Sequence, residues 1–134
     1  RAPPSAGRGT EEILEPVGLG GKRSVPAREL TLSDRKRLEM ARGLATGPEL
    51  LLLDEVMSGL NPTEIEAMVG LIRGIHGRGI TLLIIEHVMR AVMTLSHRLV
   101  VLHHGEKIAE GSPAAVARDR RVIEAYLGEE DGAA

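Results

Sequence analysis

The chain has no cysteine, no tryptophan and no phenylalanine, and only one tyrosine among its 134 residues. Without cysteine there is no disulfide framework, no thiolate nucleophile and no zinc-knuckle or iron–sulfur ligand set, and the composition suits a reducing compartment. Without aromatic platforms, recognition of bases or sugars by stacking is excluded as a main mode. Charge of one sign is also lacking. Seventeen basic against 19 acidic residues leave a net charge of −2, which argues against nucleic acid as a partner, because phosphate neutralisation needs a basic excess. The apolar run Leu50 to Leu53 is far too short to cross a bilayer. No charged-then-apolar leader opens the chain, so it reads as cytoplasmic with no direct membrane span. Arg1 stands where an initiator methionine is expected, the mark of a processed or partial chain.

What is present is an ordinary soluble composition, 43% hydrophobic and 27% charged, enough for one core built from Leu, Ile, Val, Met and Ala. Residues 1–9 (RAPPSAGRG) have no periodicity and read as a disordered end, and the Gly/Ala-rich acidic residues 129–134 as a flexible tail. A short helix is expected at Thr10 to Leu14, stopped by Pro16, followed by irregular chain through Gly18, Gly20, Gly21 and Pro26. From Ser33, read as an N-cap, Leu38, Ala41, Leu44 and Ala45 recur at helical spacing until Gly47-Pro48 closes the segment. Leu50 to Leu53, between that breaker and Asp54-Glu55, reads as a buried strand.

The next helix is better marked. Asn61 can cap it, Pro62 suits its first position and Glu64 sits where a capping-box acid belongs, with Ile65, Met68, Val69, Ile72 and Ile75 on one apolar face. Ile80 to Ile85 reads as a second buried strand, followed by a short helix through Met89, Val92 and Met93 and a third apolar run at Leu99 to Leu102. His104-Gly105 marks a hairpin turn into Lys107 to Ala109, Ser112-Pro113 opens a helix, and Val122 to Leu127 forms a last one docked by Ile123, Tyr126 and Leu127. Strands alternating with amphipathic helices predict an α/β fold with a mainly parallel sheet.

Both central strands end in polar pairs, Asp54-Glu55 and Glu86-His87. In open α/β sheets ligands bind outside the carboxyl ends of strands, so these four side chains can converge on one site. The residues alone leave two other readings open: acids that merely cap the next helices, or a metal-dependent hydrolase with Asp54, Glu55, Glu86 and His87 as ligands. His103-His104 beside a glycine turn reads as a solvated hairpin, Arg35-Lys36-Arg37 as a solvated helix face, and Met68 and Met93 as core filler.

The stretch Leu50 to Asn61, LLLLDEVMSGLN, resembles the Walker B strand and D-loop of ATP-binding cassette (ABC) ATPases, and Ile85-Glu86-His87 resembles the strand and switch histidine that follow in that family. The resemblance covers about Leu30 to Gly128. It implies that Asp54 holds Mg²⁺ through water, that Glu55 polarises the attacking water, and that His87 contacts the terminal phosphate of ATP. Thr31, Ser33, Ser58 and Asn61 fall at the family's nucleotide and dimer contacts, with Asn61 where an aspartate is usual. Leu30-Thr31-Leu32-Ser33-Asp34 occupies the place of the glycine-rich signature. Leu32 and Ser33 carry Cβ atoms there, so a weakened or rearranged contact with ATP across the dimer is expected.

The phosphate loop G-x-x-x-x-G-K-[ST] occurs nowhere in the 134 residues. Gly18-Leu19-Gly20-Gly21-Lys22-Arg23 has the wrong spacing and no hydroxyl residue after Lys22, and the family's glutamine loop is also missing. The resemblance therefore implies the C-terminal part of a P-loop NTPase domain: residues 10–49 a remnant of the helical subdomain with its signature-like loop and helix, residues 50–128 the C-terminal part of the core. Val122-Ile123-Glu124-Ala125-Tyr126-Leu127-Gly128 resembles the closing stretch of branched-chain amino acid uptake ATPases. The implied role is an ATP-hydrolysing, energy-coupling subunit of an importer for branched-chain or related amino acids, peripheral on the inner face of the plasma membrane. Its cofactors would be ATP and Mg²⁺; its partners would be a second ATP-binding subunit, identical or not, and transmembrane permease subunits. The alternative is a truncated, catalytically inactive fragment acting through partner contacts alone. The isolated chain is predicted to release no appreciable phosphate from ATP and to bind nucleotide weakly; turnover by the 134 residues alone, abolished by Glu55→Gln, contradicts this.

Overall fold

The computed structural model describes residues 9–127. The sequence readings for residues 1–8 and for the tail beyond residue 127 lie outside the described residues. The chain forms two compact units that divide in sequence at Val88/Met89.

The first unit opens with α1 (Thr10–Leu14), which continues through Pro16 as a 3₁₀ turn and ends at Gly18. Helix α2 spans Leu32–Ala45, and its N-cap is Thr31 rather than Ser33. A cap must leave helical dihedrals while its oxygen reaches the amide three residues on. Thr31 does so, with φ −63°, ψ 166° and its hydroxyl 3.2 Å from the Asp34 amide that donates to it. Ser33 already lies inside the first turn and is buried. Met40, Ala41 and Leu44 form the buried face of α2. Gly43 lets it approach the sheet: a Cβ there would stand 2.7 Å from Leu51 Cδ1.

Strands β1 (Leu50–Asp54) and β2 (Thr81–Ile85) pair in parallel, in register from Leu50 opposite Thr81 to Asp54 opposite Ile85. The expectation of fully buried strands is corrected here. Leu51 and Leu53 are buried, but Leu50 and Leu52 alternate to the other face, where Leu52 is 63% exposed; Leu83 and Ile85 of β2 are likewise more than half exposed. Successive strand side chains point to opposite faces, and α2 covers only one of them. A run apolar on both faces is the pattern of a strand that packs on both.

Helix α3 (Pro62–Gly77) joins the two strands. Its capping box is complete: the Glu64 amide donates to Asn61 Oδ1 at 2.9 Å and the Asn61 amide to Glu64 Oε2 at 2.9 Å. Met68, Ile72 and Ile75 recur at helical spacing and are buried, flanked by the half-buried Ile65 and Val69.

The second unit begins with α4 (Met89–Leu95) and continues as an antiparallel hairpin of β3 (Leu99–His103) and β4 (Glu106–Gly111). His104 and Gly105 both take positive φ, 49° and 78°, the backbone of a type I′ turn whose twist matches the strands. Alongside the parallel pair, the sheet structure thus includes an antiparallel ribbon. Ser112 caps α5 (Pro113–Val116), and Asp119 caps α6 (Arg120–Val122), which widens into a π-helical turn over Ile123–Leu127. Leu99, Val116 and Val122 form the core of this unit, with Val92, Met93, Val101, Ile108 and Ala109 around them. The terminal helix therefore docks through Val122, whereas Ile123 is exposed, because the short α6 turns the preceding residue inward. Tyr126 is half-buried and its hydroxyl donates to the Leu102 carbonyl.

A buried and an exposed apolar side chain of the first unit give opposite expectations. Ile72→Ala, opening a cavity in the covered core, should lower unfolding free energy by about 2–5 kcal/mol, whereas Leu52→Ala on the open face should change it by about 0.5 kcal/mol or less. Urea midpoints of the two variants check both.

Candidate functional site

Because β1 and β2 run parallel and in register, their carboxyl ends lie side by side. The Glu55 amide extends the ladder by donating to the Ile85 carbonyl at 2.8 Å. The chain then turns at once, since Glu55 has φ +49°, a left-handed conformation costing a non-glycine residue about 1–2 kcal/mol. The Glu55 carbonyl accepts from the Ser58 amide at 3.2 Å and from Lys36 Nζ of α2 at 3.1 Å. Three hydrogen bonds thus hold the backbone of one strained residue and leave its carboxylate outside. Across a short gap stands His87, the second residue beyond β2, with Nδ1 3.8 Å from Glu55 Oε1. That is longer than a hydrogen bond. Both side chains are well exposed, 57% for Glu55 and 62% for His87, so as a surface ion pair they add little stability.

Glu86 has a different task. Its Oε1 accepts from the buried Met57 amide at 2.8 Å and its Oε2 from the His87 amide at 3.3 Å. Its oxygens face backbone donors, and among the described residues no three His, Asp or Glu side chains gather in a metal-binding cluster, which removes the geometric basis of the four-ligand hydrolase reading. Asp54 is the exposed last residue of β1. A single hard carboxylate at a strand end fits Mg²⁺, which takes one or two carboxylates and completes its shell with water and phosphate oxygens.

The turn after β1 carries Ser58, exposed, and Gly59 at φ +77°. A Cβ on Gly59 would stand 3.0 Å from Leu32 Cδ2, so this turn lies against the start of α2. Asn61 Oδ1 is engaged as the cap of α3.

The start of α2 is occupied from within. Thr31 caps it, Ser33 is buried, and the buried Asp34 carboxylate is ion-paired with Lys22 Nζ. The Lys22 ammonium holds the Asp34 carboxyl below the usual carboxylate range, with help from the Thr31 hydroxyl and against the opposing effect of burial. A carboxylate in the first helical turn satisfies the same partial positive charge that an external anion would use. Of the residues picked out in the sequence, Glu55 and His87 are brought together, with Asp54 and Ser58 on the same strand end and turn. Thr31, Ser33 and Asn61 are engaged locally. Sequence reasoning missed Lys36, taken for a solvated face, and the bridging role of Glu86; the one available signal was that Glu86 adjoins His87.

Residues 106–132 match the family described as branched-chain amino acid ATP-binding cassette transporter. Over 119 residues the chain is 41% identical to the high-affinity branched-chain amino acid transport ATP-binding protein LivG of Escherichia coli, covering 87% of this chain and 46% of that protein. It is 40% identical, with the same coverage, to BraF of Pseudomonas aeruginosa, which carries the same description. Over 120 residues it is 34% identical to the lipopolysaccharide export ATP-binding protein LptB of Acidithiobacillus ferridurans. Among solved structures, the ADP conformation of MJ1267, an ATP-binding cassette of an ABC transporter, superposes with a TM-score of 0.79 at 32% identity, over 89% of this chain and 48% of that one. The chain spans about half the length of the curated relatives it matches, and its fold is that of the matching part of an ABC ATPase domain.

The Asp34 pair predicts a pH dependence of stability. A carboxyl group depressed in the folded state stabilises the fold fully above its unfolded value and loses that contribution as pH falls through the folded value. Thermal melts from pH 7 down to pH 3 should show the native chain losing more stability than Asp34→Asn, with the difference confined to the acid end; parallel losses in the two proteins contradict the assignment.

Proposed function

We propose, since this chain corresponds to the C-terminal part of a branched-chain amino acid type ABC ATP-binding subunit, that it supplies the hydrolytic residues of an ATP site that powers amino acid import. The observation that supports this reading is the facing pair Glu55 and His87 at the adjoining carboxyl ends of β1 and β2. Glu55 orients the attacking water and takes its proton, and His87 donates a hydrogen bond to the terminal phosphate. Asp54 holds Mg²⁺, which when bound neutralises charge on the phosphates. Residues 10–49 serve as the helical subdomain's remnant and residues 50–128 as the core. The phosphate-cradling loop comes from outside these 134 residues.

The branched-chain assignment rests on the match over residues 106–132 and on LivG and BraF, since an exporter ATPase, LptB, also aligns over most of the chain. Partners are a second ATP-binding subunit, meeting this chain near Ser58 and Asn61, and transmembrane permease subunits; the cbiO1 protein of Clostridium perfringens, similar in structure at a TM-score of 0.76, is part of the ABC transporter complex cbiONQ. Among the described residues no helix is long and apolar enough to cross a membrane; the place proposed from the relatives is peripheral, on the cytoplasmic face beside the permease. A second reading, an inactive fragment that acts through partner contacts, draws support from the start of α2: Thr31 and Asp34 already satisfy the helix end that the family aims at ATP across the dimer.

A chimera decides between them. The N-terminal half of Escherichia coli LivG joined to this chain should hydrolyse ATP, and Glu55→Gln should lower kcat by about 100-fold or more. A folded, ATP-binding chimera without turnover would leave the inactive-fragment reading in place.

A further inference from the structure

We propose that Glu86 is a positioning residue that fixes the Glu55 turn and His87 relative to one another; its catalytic meaning rests on the reading of Glu55 and His87 as the hydrolytic pair. The backbone ladder between the two strand ends stops at the Glu55 amide and the Ile85 carbonyl. Immediately beyond it, Glu86 carries the connection onward by side chain. One carboxylate oxygen takes the Met57 amide at 2.8 Å, 29 residues away in sequence, and the other takes the amide of His87 itself at 3.3 Å.

Each end of this bridge lies on one partner of the pair. Met57 belongs to the turn that the left-handed Glu55 begins, and the same turn is closed by the Ser58 amide on the Glu55 carbonyl. The Met57 amide belongs to a buried residue, so losing its acceptor leaves a donor that water reaches poorly. The His87 peptide leads straight into the imidazole whose Nδ1 faces Glu55 Oε1 at 3.8 Å. Side chains as exposed as Glu55 and His87 cannot hold each other in place; their separation is set by the backbones beneath them, and Glu86 is the group that joins those backbones past the end of the ladder. A carboxylate suits this because both of its oxygens accept, whereas a carboxamide has one accepting oxygen and one donating nitrogen.

Amide hydrogen exchange followed by NMR on the full 134-residue chain, without nucleotide, tests the bridge. Glu86→Ala should speed exchange at the Met57 amide by about tenfold or more, displace the His87 amide resonance and weaken cross-relaxation between the His87 ring and the Glu55 side chain, while the α3 amides around Ile72 keep their protection. Glu86→Gln should restore only one of the two amides. Unchanged Met57 and His87 signals in Glu86→Ala, recovery of both amides in Glu86→Gln, or a uniform loss of protection reaching α3 would each overturn the proposal; if the alanine variant does not fold, the one-amide pattern in the glutamine variant decides. Because the exchange is read without ATP, an inactive LivG chimera removes the hydrolytic reading and leaves the bridge standing.

Discussion

The parallel register of β1 and β2 is the constraint on which the rest of the first unit depends. With Asp54 opposite Ile85, and the Glu55 amide bonded to the Ile85 carbonyl, two dipeptides far apart in sequence, Asp54-Glu55 and Glu86-His87, arrive at one edge. A slip of one residue would reverse the faces of one strand relative to the other. Leu51 and Leu53 would leave the α2 side, Gly43 would lose the partner it fits, and Glu55 would no longer face His87. Core packing and site geometry are therefore fixed by the same hydrogen-bond ladder.

Beyond the ladder the local chemistry concerns how a backbone is held when the regular pattern ends. Glu55 takes a conformation that favours glycine, and neighbours keep it there: Lys36 and the Ser58 amide on its carbonyl, Ile85 on its amide, and Glu86 on the next turn through Met57. Backbone strain of this kind persists only where surrounding bonds over-determine it. The start of α2 shows the opposite arrangement, where Thr31, Asp34 and Lys22 satisfy each other and leave little for an outside ligand.

Much of this was legible in the residues. The α3 capping box followed from Asn61, Pro62 and Glu64, the hairpin turn from His104-Gly105, and the approach of Glu55 to His87 from two apolar runs that each end in polar residues. The errors share a physical cause. Thr31 and Ser33 are chemically equivalent caps, and only the helix path decides which hydroxyl reaches an amide. Ile123 and Val122 are equally apolar, and only the phase of a short helix decides which points inward. Leu50 to Leu53 read as buried because all four residues are apolar, but burial requires a layer on each face, and one face here is open.

The sequence by itself determined the order of elements, the residue types at the two strand ends and the lack of cysteine, tryptophan and phenylalanine side chains, because these follow from local propensity and side-chain identity. Tertiary structure alone decided that Glu55 and His87 face each other at 3.8 Å, that Lys36 and Glu86 hold the backbones beneath them, and that Ser33 is hidden while Ser58 is not. Those facts depend on register, on a single left-handed residue and on which face of each element finds a partner, and such contacts join residues too far apart in the chain for any local pattern to encode.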